Sequence, residues 1–140
     1  MKPRLTVITL AVADLDRSLR FYRDGLGLAT PGIIGEEFEN GAVVFIRLQA
    51  GVQLALWPRL SLSADAGLPP GEPSPTSCSL GPNVTSREEV DAVMEEARSA
   101  GAVIQKEAQD TFWGGYAGYF LDPDEHLWEV VWNPDLPVTN

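Results

Sequence analysis

Cys78 and His126 are the only cysteine and the only histidine in the chain, and this removes several kinds of chemistry at once. No intrachain disulfide can form, clusters of cysteine and histidine at zinc spacing are excluded, and no histidine stands beside Cys78 in sequence to draw off its proton. Alternation along its strand sends Cys78 toward the layer between sheet and helix, so it reads as a buried, inert thiol. His126 ends the turn Asp122-Pro123-Asp124-Glu125 and reads as a strand-start residue without a catalytic role. The run Phe112-Trp113-Gly114-Gly115-Tyr116 carries more binding character. Three aromatics flank a glycine pair whose backbone reaches angles closed to other residues. That suits a loop folding over a ligand, with Phe112 and Trp113 in contact, and it equally suits capping of a sheet or filling of a dimer interface.

These residues need a scaffold, and the chain is long enough for one. Its 140 residues, 44% hydrophobic and 21% charged, describe a globular domain with a single core. Twenty acidic against ten basic residues give a formal charge of -10, a field that repels phosphate backbones and excludes nucleic acid as a partner. Met1-Lys2-Pro3-Arg4 is followed by only a short apolar stretch, so neither a signal peptide nor a spanning helix is expected. The expected location is the cytoplasm, with no membrane partner.

The pattern predicts a strand over Leu5 to Val12, rich in β-branched residues. A helix capped by Asp14 follows, with Leu15, Leu19, Tyr22 and Leu26 as its apolar stripe. Strands are predicted over Leu28 to Ile34, Ala42 to Leu48 and Val52 to Trp57. Arg59 to Pro75, dominated by Ser, Pro, Gly, Ala and Asp, reads as a surface linker. Order resumes with a strand over Thr76 to Leu80 and a helix opened by Ser86 and Glu89 in a capping box. Val90, Val93, Met94 and Ala97 form that helix's buried face, and its acidic residues Glu88, Glu89, Asp91, Glu95 and Glu96 form a solvated one. Three strands close the chain, over Ala102 to Glu107, Tyr116 to Leu121 and Leu127 to Trp132. Both halves therefore share one plan, a strand, a helix and three strands. The reading is a single α+β domain over 1–140: a first βαβββ repeat at about 4–58, a linker at 59–75 and a second repeat at about 76–134, curving around a central cavity that takes a ligand.

Three segments carry a family resemblance: ITLAVADLDRSLRFYRDGLGL (Ile8 to Leu28), DTFWGGYAGYF (Asp110 to Phe120) and LDPDEHLWEVVWNP (Leu121 to Pro134). Together they resemble the vicinal oxygen chelate superfamily, the glyoxalase, bleomycin-resistance and dioxygenase group, and the FWGGY stretch is similar to an uncharacterised bacterial branch. The resemblance implies the glyoxalase/bleomycin resistance/dihydroxybiphenyl dioxygenase-like fold. Metal-dependent members hold a divalent ion with four side chains, on the first and last strands of each repeat. Those positions fall here on Val7, Ala55, a residue near Ser77, and Glu129. Only Glu129 is of ligand type, and one carboxylate does not hold an ion. No cofactor is expected; a divalent metal is the alternative if the register is off by a residue.

If the ligand positions point inward, so do their neighbours two residues away. The expected ligand-contacting set is then Thr9, Gln53, Trp57, Ser77, Ser79 and Glu129, with Val7, Ala55, Leu127 and Val131 as apolar neighbours. The resemblance adds Tyr119, matching a substrate-contacting tyrosine of fosfomycin-resistance members and expected side by side with Glu129 on a paired strand. A carboxylate facing a partly apolar cavity must be hydrogen-bonded or take up a proton. Glu129 and Tyr119 are therefore the candidate catalytic pair, a base next to a carbonyl and a donor to the developing oxyanion. Trp57 suits planar or cationic ligands. His126, at an odd offset from Glu129, faces away. Relatives usually carry glycine where Glu125 stands, which expects a left-handed backbone there. The leading expectation is a metal-free binder of a small, cationic molecule, resembling bleomycin-resistance proteins. The alternatives are an enzyme, either a lyase or isomerase using Glu129 or a metal-dependent lyase or dioxygenase, and a structural module with an empty cavity. A homodimer is also expected, because Trp128 and Trp132 lie on the outward register and need covering.

Overall fold

The β-branched run Val7–Val12 forms β1, which lies parallel to β4 (Gln53–Pro58) with Thr9 opposite Ala55 and Leu10 opposite Leu56. β4 runs antiparallel to β3 (Val43–Arg47), and β3 pairs with the two-residue β2 (Ile33–Ile34), giving the order β1-β4-β3-β2. The computed structural model describes residues 1–138, and this sheet belongs to the first of two units, Met1–Glu72 and Pro73–Asn140. Leu10, Val12, Val44, Ile46, Leu54 and Leu56 are all buried and mark the sheet's core face.

The helix of this unit begins as expected and then departs. Asp14 caps α1 (Leu15–Leu19), its carboxylate accepting from the Arg17 N–H at 3.0 Å. Arg20–Gly25 then continues as a π-helical turn, with the Leu26 N–H bonding back to the Phe21 carbonyl at 3.0 Å. The wider turn breaks the stripe expected at α spacing. Adjacent Phe21 and Tyr22 are both buried, ring edge to ring face at 5.0 Å, while Leu15 and Leu26 are only half-buried.

Two further expectations for this unit are corrected. The strand over Leu28 to Ile34 shrinks to Ile33–Ile34, because Pro31 has no N–H for a ladder; the Thr30 hydroxyl donates instead to the Phe45 carbonyl at 2.7 Å. The first part of the expected linker, Arg59–Ala66, is a helix, α2, ended by Gly67 at φ 67°. Its leucines and alanines favour the helix despite the serines, and α2 packs on β4.

In the second unit β9 (Leu127–Trp132) is central. It pairs antiparallel with β8 (Tyr116–Leu121) and parallel with the short β5 (Ser79–Leu80) and β6 (Asn83–Val84). β7 (Val103–Asp110) flanks β8 with two register shifts, either side of Lys106. The strand expected over Thr76 to Leu80 starts only at Ser79, because Pro75 opens a 3-10 turn, Pro75–Ser77. Cys78 is consequently exposed rather than buried: it precedes the first ladder pair, so alternation does not carry it into a core.

The helix of this unit, α3 (Arg87–Ser99), is capped by Ser86, whose hydroxyl accepts from the Glu89 N–H at 3.1 Å. The Glu89 carboxylate reaches one residue beyond the cap, to the Thr85 N–H at 2.7 Å and hydroxyl at 2.6 Å. Those bonds, the hydroxyl first, hold its pKa below the ordinary glutamate value. Val90, Met94 and Ala97 are buried. Close approach of α3 to β8 depends on Gly118, where an added Cβ would lie 2.9 Å from Met94 Cε and 3.1 Å from the Ala108 nitrogen. On the same face Phe120 stacks on Trp128, centroids 5.9 Å apart, both buried. The Arg87 guanidinium lies over the Tyr116 and Trp132 rings at 5.2 and 5.4 Å. Both tryptophans are thus covered within their own unit, which removes the reason for expecting a partner subunit over them.

Asp122 organises the turn between β8 and β9. Its buried carboxylate accepts from the Asp124 N–H at 2.9 Å, the His126 N–H at 2.8 Å and the His126 ring Nδ1 at 2.7 Å. A carboxylate only accepts, so the imidazole carries its proton on Nδ1 there. Glu125 sits at φ 65°, the left-handed region expected of it. That conformation costs an L-residue about 1–2 kcal/mol, and glycine's extra freedom in the unfolded chain returns about 0.5–1 kcal/mol of the gain. Glu125→Gly is expected to stabilise the protein by about 1 kcal/mol, raising Tm by about 3 °C in a thermal melt, with no rise for Glu125→Ala.

Candidate functional site

Because α3 covers one face of the second sheet, alternate residues of β8 and β9 face away from it. These are Ala117, Tyr119 and Leu121, paired with Val131, Glu129 and Leu127. Tyr119 and Glu129 are direct cross-strand partners, which sets the phenol beside the carboxylate on one face. Burial pushes the Tyr119 phenol above its ordinary value, and the Glu129 carboxylate beside it pushes it further.

The row extends to both sides. Lys106 pairs with Tyr119 from β7, on the same face. The pairs Leu80–Trp128 and Asn83–Val131 bracket Glu129 so that Gly81 stands opposite it. Lys106, Tyr119, Glu129 and Gly81 thus cross the sheet in one line, with Leu121–Leu127 and Ala117–Val131 as apolar flanks. Sequence reading missed Lys106 because the shifts around it break the period of two, and Gly81 because no side chain announces it.

The first sheet repeats the arrangement with different residues. Ala55 lies between Thr9 and Phe45 as Glu129 lies between Gly81 and Tyr119. Val7 pairs with Gln53 as Ser79 pairs with Leu127. This equivalence moves the third metal position from Ser77 to Ser79. Ser77 lies off the strand, its hydroxyl 2.7 Å from that of Ser74. Gln53 borders a groove of about 540 Å³ with Ala29, Thr30, Pro31, Phe45 and Arg47. Trp57 stands beside Ala11 on the same face as Thr9, its indole N–H donating to the Asn40 carbonyl at 2.9 Å.

The aromatic loop is a hairpin end. The Thr111 N–H bonds to the Gly115 carbonyl at 3.0 Å, and its hydroxyl accepts from the Gly115 N–H at 2.8 Å. Trp113 folds back over Gly115, where an added Cβ would come within 2.1 Å of the indole. Phe112 is fully exposed. Both follow β7 at the Tyr116 end of β8, three residues or about 10 Å of strand from Tyr119, so the structure does not bring them beside Glu129.

A divalent ion is implied by metal-dependent members of the resembled superfamily, and the residues here do not fit one. The four equivalent positions carry Val7, Ala55, Ser79 and Glu129, a single strong donor. Among the described residues no group of three or more His, Cys, Asp or Glu is placed to hold a metal.

A mixed α+β chain with one sheet per half, each half repeating the strand pairings of the other, defines a class of fold built by duplication. The chain matches the Glyoxalase/Bleomycin resistance protein/Dioxygenase superfamily over residues 4–130 and belongs to it. It is similar to the crystal structure of a glyoxalase-related enzyme from Fulvimarina pelagi, at 35% identity and TM-score 0.85 over 98% of this chain and 93% of that one. It is similar also to a glyoxalase/bleomycin resistance protein/dioxygenase from Nocardioides, at 25% identity and TM-score 0.76 over 100% and 91%. A lactoylglutathione lyase from Agrobacterium tumefaciens shares the fold, at 22% identity and TM-score 0.68 over 95% and 96%. No curated protein matches the chain.

The raised Tyr119 phenol has a pH signature. Its contribution to stability is complete below the ordinary phenol pKa and is lost as pH rises through the raised folded value. Glu129→Gln removes the charge and the ionised acceptor but leaves the burial. The phenolate absorbance of Tyr119, isolated by difference against Tyr119→Phe, should therefore appear at lower pH in Glu129→Gln, though still above an ordinary tyrosine. An unmoved midpoint would separate the two residues electrostatically.

Proposed function

We propose that the chain binds a small organic molecule on the open face of its second sheet, without a metal ion. The observation that carries this is the Tyr119–Glu129 pair, a phenol and a carboxylate set between apolar residues on a face that the unit's own helix leaves uncovered. A ligand seated on the half-buried Leu121–Leu127 flank removes water from the carboxylate, and then needs to supply a donor or a positive charge in its place. The net charge of -10 draws cations toward the surface. Trp57 offers an aromatic surface of the same preference on the first sheet. The reading includes a cytoplasmic homodimer. With Trp128 and Trp132 already covered, Phe112, Leu60 and Phe38 are among the exposed apolar side chains that a partner would cover.

One observation favours a second reading, as an enzyme: the pair places a base and a hydroxyl donor on adjacent strands. Glu129 takes a proton from carbon next to a carbonyl, and the Tyr119 hydroxyl turns from Glu129 to the oxyanion that develops. Similarity to a protein described as a glyoxalase-related enzyme supports it.

Native mass spectrometry of protein purified without chelator, with elemental analysis of the same sample, tests both. The binding reading expects a co-purifying small molecule that Glu129→Gln loses or holds at least tenfold more weakly. The enzymatic reading expects Glu129→Gln to retain binding and lose turnover. A near-stoichiometric divalent ion would sink the metal-free account.

A further inference from the structure

We infer that the groove on the first sheet takes a planar organic carboxylate, anchored by Arg47. Arg47 and Gln53 stand directly opposite one another on β3 and β4, so guanidinium and amide rise side by side from one face of the sheet. Phe45 precedes Arg47 by two residues and shares that face, and Ala29, Thr30 and Pro31 form the rim. The volume of about 540 Å³ is that of a small-molecule site.

The charge pattern selects the ligand. Arg23, Arg87 and Arg98 each pair with a carboxylate, whereas Arg47 enters no ion pair among the described residues. No acidic residue lines the groove, in a chain where acidic residues outnumber basic ones twofold. A guanidinium presents a planar fork that a carboxylate meets with two parallel hydrogen bonds, and the Gln53 amide adds a further donor beside it. Phe45, Pro31 and Ala29 supply apolar surface for a flat ligand body. One cation within a strongly negative protein suits a monoanion better than a doubly charged phosphate. The rim is held in place beforehand: the Thr30 hydroxyl donates to the Phe45 carbonyl at 2.7 Å and accepts from the Gly32 N–H at 3.2 Å. It therefore shapes the groove and leaves Arg47 and Gln53 to bind.

The test is an NMR titration of the full chain with benzoate, alongside neutral benzamide and inorganic phosphate. Benzoate is expected to shift the signals of Thr30, Phe45 and Gln53. Arg47→Gln should weaken it at least tenfold with an unchanged melting temperature, Arg47→Lys should weaken it less, and Glu129→Gln should leave it unaltered. Wild-type affinity in Arg47→Gln, equal binding of benzamide, or displacement of benzoate by an equal concentration of phosphate would each overturn the assignment. Because Glu129→Gln tests the second sheet and Arg47→Gln the first, the two proposals fail independently.

Discussion

A pleated sheet covered by helix on one side has a second side that the same helix cannot reach, and the candidate surfaces of this chain follow from that constraint. In each half alternate residues go to the core. Leu10, Ile46, Leu54 and Leu56 do so in the first, and Phe120, Trp128 and Val130 in the second. The residues between them are thereby committed to the other face, whatever their chemistry. A one-residue slip would bury Glu129 beneath α3 and expose Trp128, so packing of the aromatic pair Phe120–Trp128 is what keeps the carboxylate on the open side. Gly118 belongs to the same constraint, since a side chain there would hold α3 off the sheet and loosen the contacts that fix the register.

This explains what was legible in the sequence. The last two strands were readable as apolar runs, YAGYFL and LWEVVW, bounded by turn residues, and the pairing of Tyr119 with Glu129 came from the family resemblance. The left-handed backbone at Glu125 was readable only through the resemblance, since relatives usually carry glycine there. Illegible were the places where hydrogen bonding leaves the simple period. The π-helical turn brings Phe21 and Tyr22 inward together, against α spacing. Pro75 delays a strand by three residues, which displaces Ser77 and exposes Cys78. The shifts in β7 bring Lys106 to the open face beside Tyr119. In each case a backbone group satisfied outside the ladder moves side chains that residue counting places elsewhere.

Duplication then allows a comparison inside one molecule. The strand pairings that set Glu129 beside Tyr119 in the second half set Ala55 beside Phe45 in the first. The polar pair and the apolar pair are alternative solutions to one problem. A phenol beside a carboxylate offers it a donor, and a phenyl ring beside a methyl group needs no partner. Mixed pairs are the poor solutions. Phenylalanine opposite glutamate would leave a half-buried carboxylate without its donor, and tyrosine opposite alanine would leave the hydroxyl without its acceptor.

The same comparison bears on why the two faces differ in charge. Removing the carboxylate from the first half also removes the nearest negative charge from the neighbouring pair of residues, Arg47 and Gln53. A guanidinium with a glutamate at position 55 would be drawn into an internal ion pair and lost as an anchor, as Arg98 is committed to Glu107 at 2.7 Å. With Ala55 there, the guanidinium stays unpaired and faces the groove. In the second half the residue two beyond Tyr119, in the place Arg47 takes relative to Phe45, is Leu121, so no cation stands in that position beside Glu129. The sign of each surface is therefore set by pairs of positions on adjacent strands, and changing one member of a pair without the other would silence the site instead of converting it.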